Sequence, residues 1–197
     1  MSITQNIIID CVPEGSRVLD LGCGDGSLLQ RLIEEKRVTG YGVDNQFSNI
    51  QHCVARGLSV YQGNLNEGLQ EFRPHSFDIV ILSFTLQEVM DPVYLLKEML
   101  RVGKQVIVTF PNFGFWQIRL QYLLSGNTPK SNSLPYEWYN TPNIRVLTIQ
   151  DFKDLCKEES IQIQKELPLF NAPFLRKFFP KRLTNLFSQK GVFLLTK

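Results

Sequence analysis

The chain has 197 residues, 43% hydrophobic and 20% charged, with a formal net charge of +2. This fits one globular domain with a core that stands without staples, and it excludes disorder, collagen and coiled coil. The charge is uneven: residues 1–166 hold 15 Lys/Arg against 19 Asp/Glu, and residues 167–197 hold 6 Lys/Arg and no acid.

Met1 to Asp10 lacks the basic start and apolar stretch of a signal peptide. The four cysteines, Cys11, Cys23, Cys53 and Cys156, form no C-x-x-C pair. That argues against a zinc ribbon or a disulfide framework, so a reducing cytoplasm is the expected setting. No window approaches the ~18 apolar residues of a membrane span.

The first half alternates strand and helix signals. Arg17–Leu21 reads as a strand entering a glycine-rich turn, and Ser27–Lys36 carries Leu28, Leu29, Leu32 and Ile33 at helical spacing. Thr39–Val43 reads as a second strand ending at Asp44, followed by a helix over Ser48–Arg56 that Gly57 stops. Leu58–Tyr61 is a third strand. Phe77–Ser83 is an almost unbroken apolar run, as in a parallel strand buried on both faces. Val93–Leu100 is helical with Pro92 at its start, and Lys104–Phe110 is a fifth strand. Later, Thr148–Glu158 reads as a helix, and Ile161–Leu167 and Gly191–Thr196 as strands. This order predicts an α/β fold with a mostly parallel sheet and right-handed crossovers.

Between the fifth strand and the later helix, Pro111 to Pro142 is different. It holds both tryptophans and Phe113, Phe115, Tyr122, Tyr136 and Tyr139, with a short helix over Phe115–Leu124. Residues 111–143 therefore read as an insertion or lid within a single domain spanning residues 1–197. An insertion at the carboxyl edge of a parallel sheet is where such folds place ligand-binding elements. Packing is the commoner fate of aromatics, so these rings are expected on the underside of a lid against the sheet.

The sharpest motif is Asp20-Leu-Gly-Cys-Gly-Asp-Gly26, between a predicted strand and a predicted helix. A dinucleotide fingerprint would need glycine at position 27, which is Ser. Asp20 and Asp25 also flank the glycines, and carboxylates repel a diphosphate but suit a cationic amino-acid ligand. Asp44 ends the second strand, where a carboxylate can accept ribose hydroxyls. Charge and spacing thus favour S-adenosylmethionine, or S-adenosyl-L-homocysteine, as the ligand.

These residues, with Gly42-Val-Asp44, Gly63-Asn64-Leu65 and Phe77-Asp-Ile-Val80, resemble class I S-adenosylmethionine-dependent methyltransferases. The resemblance implies a Rossmann-like sheet of seven strands, helices on both faces and an antiparallel last strand. It places Asp20, Leu21, Gly22, Cys23 and Gly24 at the cofactor. It puts Asp44 at the ribose, Asn64 and Leu65 at the adenine, Ser83 on the cofactor floor, and Asn45 among the cofactor-binding residues.

Subclass motifs are absent. Position 83 onward reads Ser-Phe-Thr-Leu, not the Pro-Pro-Tyr motif of amino-directed DNA methyltransferases, and no cysteine stands there as in the cytosine-C5 enzymes. His52 and His75 are isolated and expected at the surface. Candidates beside a transferred methyl are Gln87, Glu88, Asn112, Tyr136, Glu137 and Trp138. Arg176, Lys177, Lys181 and Arg182 interleave with Phe174, Phe178 and Phe179; a solvated face with phenylalanines inward is expected, with no nucleic-acid or membrane partner.

Phe110-Pro-Asn-Phe-Gly-Phe-Trp116, Leu134-Pro-Tyr-Glu-Trp-Tyr-Asn-Thr-Pro-Asn143 and Thr148-Ile-Gln-Asp-Phe152 resemble the methionine biosynthesis protein MetW family. The resemblance implies a methyltransferase-like fold and a homoserine O-acyltransferase as partner. The insertion is then either a partner surface or a substrate lid. The alternative is an active methyltransferase with a small-molecule acceptor.

Overall fold

The computed structural model describes residues 3–131, 134–167, 169 and 183–197. Five strands run parallel: β1 (Arg17–Leu21), β2 (Thr39–Asp44), β3 (Ser59–Gln62), β4 (Phe77–Ser83) and β5 (Gly103–Pro111). β6 (Gln162–Glu166) joins the sheet through β7 (Lys190–Thr196), which is antiparallel to both β5 and β6. The sheet has seven strands in the order β3-β2-β1-β4-β5-β7-β6. The expected Rossmann-like topology, antiparallel last strand included, is therefore present.

The described α-helices are α1 (Ile3–Cys11), α2 (Ser27–Lys36), α3 (Phe47–Ala55), α4 (Pro92–Val102), α5 (Trp116–Ser125), α6 (Ile149–Glu158) and α7 (Thr184–Phe187), with two short 3-10 turns at Leu65–Glu67 and Leu86–Glu88. Local chemistry sets several boundaries. The Asp91 carboxylate accepts the Tyr94 amide at 2.9 Å and Pro92 opens α4, while Thr148 and Asp151 form a reciprocal capping box on α6. α1 was not evident from the sequence, because a nine-residue isoleucine-rich segment has weak intrinsic helix preference. Packing stabilises it: Ile8, Ile9 and Val12 are buried against the sheet.

Strand alternation sorts the two faces. Val18, Ile79, Ile81, Ile107 and Leu194 pack with residues of α1 and α2. Leu19, Leu21, Val80, Leu82, Val108 and Phe193 pack with α4 and α6. The second face holds an aromatic trio, with Phe110, Phe152 and Phe193 at centroid distances of 4.8–5.8 Å. By the same alternation Asp20, Ser83, Thr109 and Lys190 share the α1/α2 face, toward the carboxyl edge of the parallel strands. Four polar side chains thus continue a face that is otherwise aliphatic.

The stretch after β5 departs from expectation. Phe115, Ile118 and Leu134 form a small buried cluster, but Trp138 is 73% and Tyr139 69% exposed. Leu123, Leu124, Tyr122 and Tyr136 are exposed as well. The rings do not form a packed underside against the sheet. The segment carries four prolines and only one short helix, so it has no regular apolar stripe to lay on a strand face. Arg176, Lys177, Lys181, Arg182 and the neighbouring phenylalanines lie outside the described residues.

Candidate functional site

The site forms where β1 ends between β2 and β4, the point at which strand order reverses direction. Crevices at such points are the usual ligand sites of open α/β sheets. Gly22 and Gly24 have φ of 67° and 57°, a region that favours glycine. A Cβ on Gly22 would also stand 2.5 Å from the Thr85 hydroxyl oxygen. The Gly22 and Cys23 amides both donate to the Val43 carbonyl, which pins the loop to β2.

A cleft of about 310 Å³ opens over this loop. Gly22, Gly24, Asp44, Asn45, Asn64, Leu65 and Ser83 all line it, so seven of the ten residues assigned to the cofactor meet there. Asp20 and Cys23 line a smaller lobe of about 190 Å³ with Thr4 and Gln5 of α1 and Ser27 and Leu28 of α2. Gly22, Ser83 and Phe84 border both spaces. Leu21 is the exception: its side chain is fully buried in the core on the other face.

The carboxylates differ in environment. Asp44 is tightly partnered: one oxygen accepts the Gly24 amide at 2.9 Å, the other the Gln46 amide and the Asn49 side-chain amide. Asp20 is 1% exposed and its Oδ1 has no hydrogen-bond partner among the described residues. Burial, with negative Asp44 nearby, pushes its carboxyl up to about 7. An unpartnered buried carboxylate oxygen is costly, and a cationic ligand removes the cost. Burial and Asp44 also raise Glu88, which borders the larger cleft.

Other expected contacts are modified by the geometry. The Asn64 side-chain oxygen already accepts from the Asn66 backbone and side-chain amides, so it caps the turn Leu65–Glu67 in place of pointing freely at a base. Ser83 shares a 3.2 Å hydrogen bond with Thr109. The Cys23 thiol faces Cys53 at 4.0 Å, and burial with nearby negative charge raises its pKa well above the usual thiol range.

Of the residues proposed beside the methyl, only Glu88 lines the cleft. The Gln87 side chain is buried and donates to the Phe84 carbonyl. Asn112 is also buried: it donates to the Asn185 and Ser188 carbonyls and accepts the Gly114 and Ile149 amides. It is a brace that joins β5, α6 and α7. Tyr136, Glu137 and Trp138 line a separate aromatic pocket of about 170 Å³. His52 and His75 are exposed, as expected. Among the described residues no cluster of His, Cys, Asp and Glu is arranged to hold a metal ion.

Sequence reasoning missed Phe84, Thr85, Asn49, Thr4 and Lys190. Phe84 adopts φ 59°, unusual for a bulky residue, and its amide donates to the Thr109 backbone and side-chain oxygens. The Lys190 ammonium lies 4.7 Å from the centre of its ring. No sequence spacing links positions 4, 84 and 190. A final feature joins the edge of the cleft to the segment that directly follows the insertion: the Gln87 carbonyl accepts the Ile144 and Arg145 amides at 3.0 and 3.1 Å. The Arg145 guanidinium donates to the Val89 and Met90 carbonyls.

A model of the family described as methionine biosynthesis protein MetW matches residues 4–195. The bifunctional methionine biosynthesis protein MetXA/MetW of Rhodopirellula baltica is 39% identical over 176 residues, 85% of this chain and 28% of that protein. The chain thus spans under a third of the length of this relative. An S-adenosylmethionine-dependent methyltransferase from Mesorhizobium loti has a similar structure, with TM-score 0.70, 13% identity, and coverage of 98% of this chain and 96% of that one. The [4+2]-cyclase SpnF is also similar, with TM-score 0.68, 14% identity, and coverage of 98% and 80%.

Proposed function

The chain belongs to the MetW family of methionine biosynthesis proteins, and from that premise we propose that it is the S-adenosylmethionine- or S-adenosylhomocysteine-binding subunit of a homoserine O-acyltransferase. The observation that carries this reading is the physical union of two surfaces. The cleft takes a cationic nucleoside, and the aromatic arm takes a protein. The Gln87 carbonyl holds the segment that directly follows the arm by two amides while its neighbours Glu88 and Val89 border the cleft.

The cleft's chemistry supports the ligand. Asp20 offers an unpartnered oxygen to a cation, and the bend at Gly22 and Gly24 lets a ligand approach the backbone closely. Asp44 and Asn45 would meet the ribose, and Asn64 and Leu65 the base. The bound group supplies a sulfonium methyl or, once demethylated, a thioether. Fold alone does not set the reaction, as the similarity to a cyclase illustrates.

The arm's chemistry supports the partner. Trp138, Tyr139, Tyr136 and Tyr122 are exposed within one segment, and exposed aromatic clusters mark protein interfaces. A relative that carries MetXA and MetW in one chain supports such a pairing.

Co-purification and acyltransferase assays test the reading. The expected result is a complex whose acyl transfer rate exceeds that of the acyltransferase alone and shifts with S-adenosylhomocysteine. Absence of any complex, together with methyl transfer from labelled S-adenosylmethionine into a small metabolite, would overturn it.

A further inference from the structure

The smaller lobe beside the glycine loop is lined by Asp20, and two of its lining residues, Thr4 and Phe84, contact Lys190; neither charge forms an ion pair among the described residues. Asp20 is buried, with Oδ1 unpartnered. Lys190, the first residue of β7, is half-buried at the rim of the same sheet face. Its ammonium meets the Thr4 hydroxyl at 3.3 Å and the face of Phe84. Both of these neighbours line the lobe.

Lys190 forms no ion pair among the described residues, and no residue outside them is an acid. A cation over an aromatic ring is partly compensated. A hydroxyl and a ring still leave two of the three ammonium protons without a strong acceptor. Burial lowers the Lys190 pKa, consistent with an ammonium that has given up water without gaining a carboxylate.

A neutral apolar ligand would leave both charges uncompensated. A phosphate would suit Lys190 and be repelled by Asp20. A zwitterion answers both. We propose that Lys190 is the anion-recognition residue of this site, receiving the carboxylate of an α-amino acid whose ammonium end turns toward Asp20. This assigns a ligand contact to β7, a strand with no loop motif. The α-amino acid has two sources: the amino-acid end of S-adenosylmethionine or S-adenosylhomocysteine, or a free amino acid. The first source rests on the nucleoside reading of the larger cleft, and the second does not.

Calorimetry on the full chain separates them, with S-adenosylhomocysteine, 5′-methylthioadenosine and L-methionine as probes. Methylthioadenosine keeps the nucleoside and lacks the amino acid. Lys190→Met is expected to weaken S-adenosylhomocysteine roughly tenfold, as for the loss of one charge-assisted hydrogen bond, and to leave methylthioadenosine unchanged. Lys190→Arg restores most of the affinity. L-methionine bound by the wild type and lost in Lys190→Met identifies the free amino acid as the source, and stands even where neither nucleoside binds. Equal weakening of both nucleosides overturns the proposal, because Lys190 then only shapes the cleft. Unchanged S-adenosylhomocysteine affinity without methionine binding also overturns it. Failure of all three probes on the wild type overturns this proposal and the nucleoside reading together. Thermal denaturation of each variant confirms that the fold is retained.

Discussion

Asp44 accepts the backbone amide of Gly24 at 2.9 Å, so the residue expected at the ribose also holds the glycine loop in place. Its other oxygen takes the Gln46 and Asn49 donors. Asp44→Ala is therefore expected to act twice. It leaves three donors without their acceptor, costing roughly 1–3 kcal/mol of stability, and it removes the ribose contact. Asp44→Asn keeps one acceptor oxygen and should retain more stability than affinity. Chemical denaturation beside calorimetry checks this; a ribose-only role predicts no stability loss in Asp44→Ala.

Asp20 imposes a pH-dependent cost on the unliganded fold. Its folded pKa, about 7, lies above its ordinary value of 3.8. A carboxyl with a raised folded pKa binds more protons folded than unfolded. Its penalty is absent at low pH and grows as pH rises from near 4 to 7, reaching at most about 4 kcal/mol. Asp20→Asn should raise the melting temperature at pH 8, change it little at pH 4, and lower affinity for S-adenosylmethionine. A melting-temperature difference independent of pH would contradict the assignment.

Gly24 and Gly22 should respond differently to alanine. A Cβ on Gly24 meets no described atom within 4 Å, and Gly24 itself lines the cleft. Gly24→Ala is expected to cost about 1–2 kcal/mol from its left-handed backbone and a larger fraction of ligand affinity. Gly22→Ala must also displace Thr85, so its stability loss should exceed that of Gly24→Ala. Parallel melts and ligand titrations compare the two.

Asn112→Ala is expected to destabilise strongly, by roughly 3 kcal/mol or more, since four hydrogen bonds, three of them buried, end on this side chain. Ligand affinity per folded molecule should be unchanged. An affinity loss without a stability loss would return Asn112 to the ligand site.

Trp138→Ala and Tyr139→Ala should leave stability within about 0.5 kcal/mol, because both side chains are largely solvated already. Binding to the acyltransferase should fall, as measured by co-elution or surface plasmon resonance. A large drop in melting temperature with intact binding would make them packing residues.

The sheet was legible because its strands state their environment directly. Phe77–Ser83 is apolar but for Asp78 and the terminal Ser83, as expected of a strand covered on both faces. The glycine loop and Asp44 were legible because positive φ and a strand-end carboxylate restrict residue type. α1 was not, since its stability comes from Ile8, Ile9 and Val12 meeting a sheet formed elsewhere in the chain. The fate of the aromatics was not legible either: composition says that rings prefer cover, and nothing local says whether the cover belongs to the same chain.

The sequence by itself determined the strand order's raw material, the bend under the cleft and the family resemblance, all of which depend on neighbours within a few residues. Only the tertiary structure decided which polar groups are satisfied. Asn112 proved to be braced from α6 and α7, whereas Asp20 was left with an open oxygen. Thr4, Phe84 and Lys190 are brought together from the two ends and the middle of the chain. The reason is physical: hydrogen bonding and desolvation act over a few ångströms in space, and the distance along the chain carries no information about them.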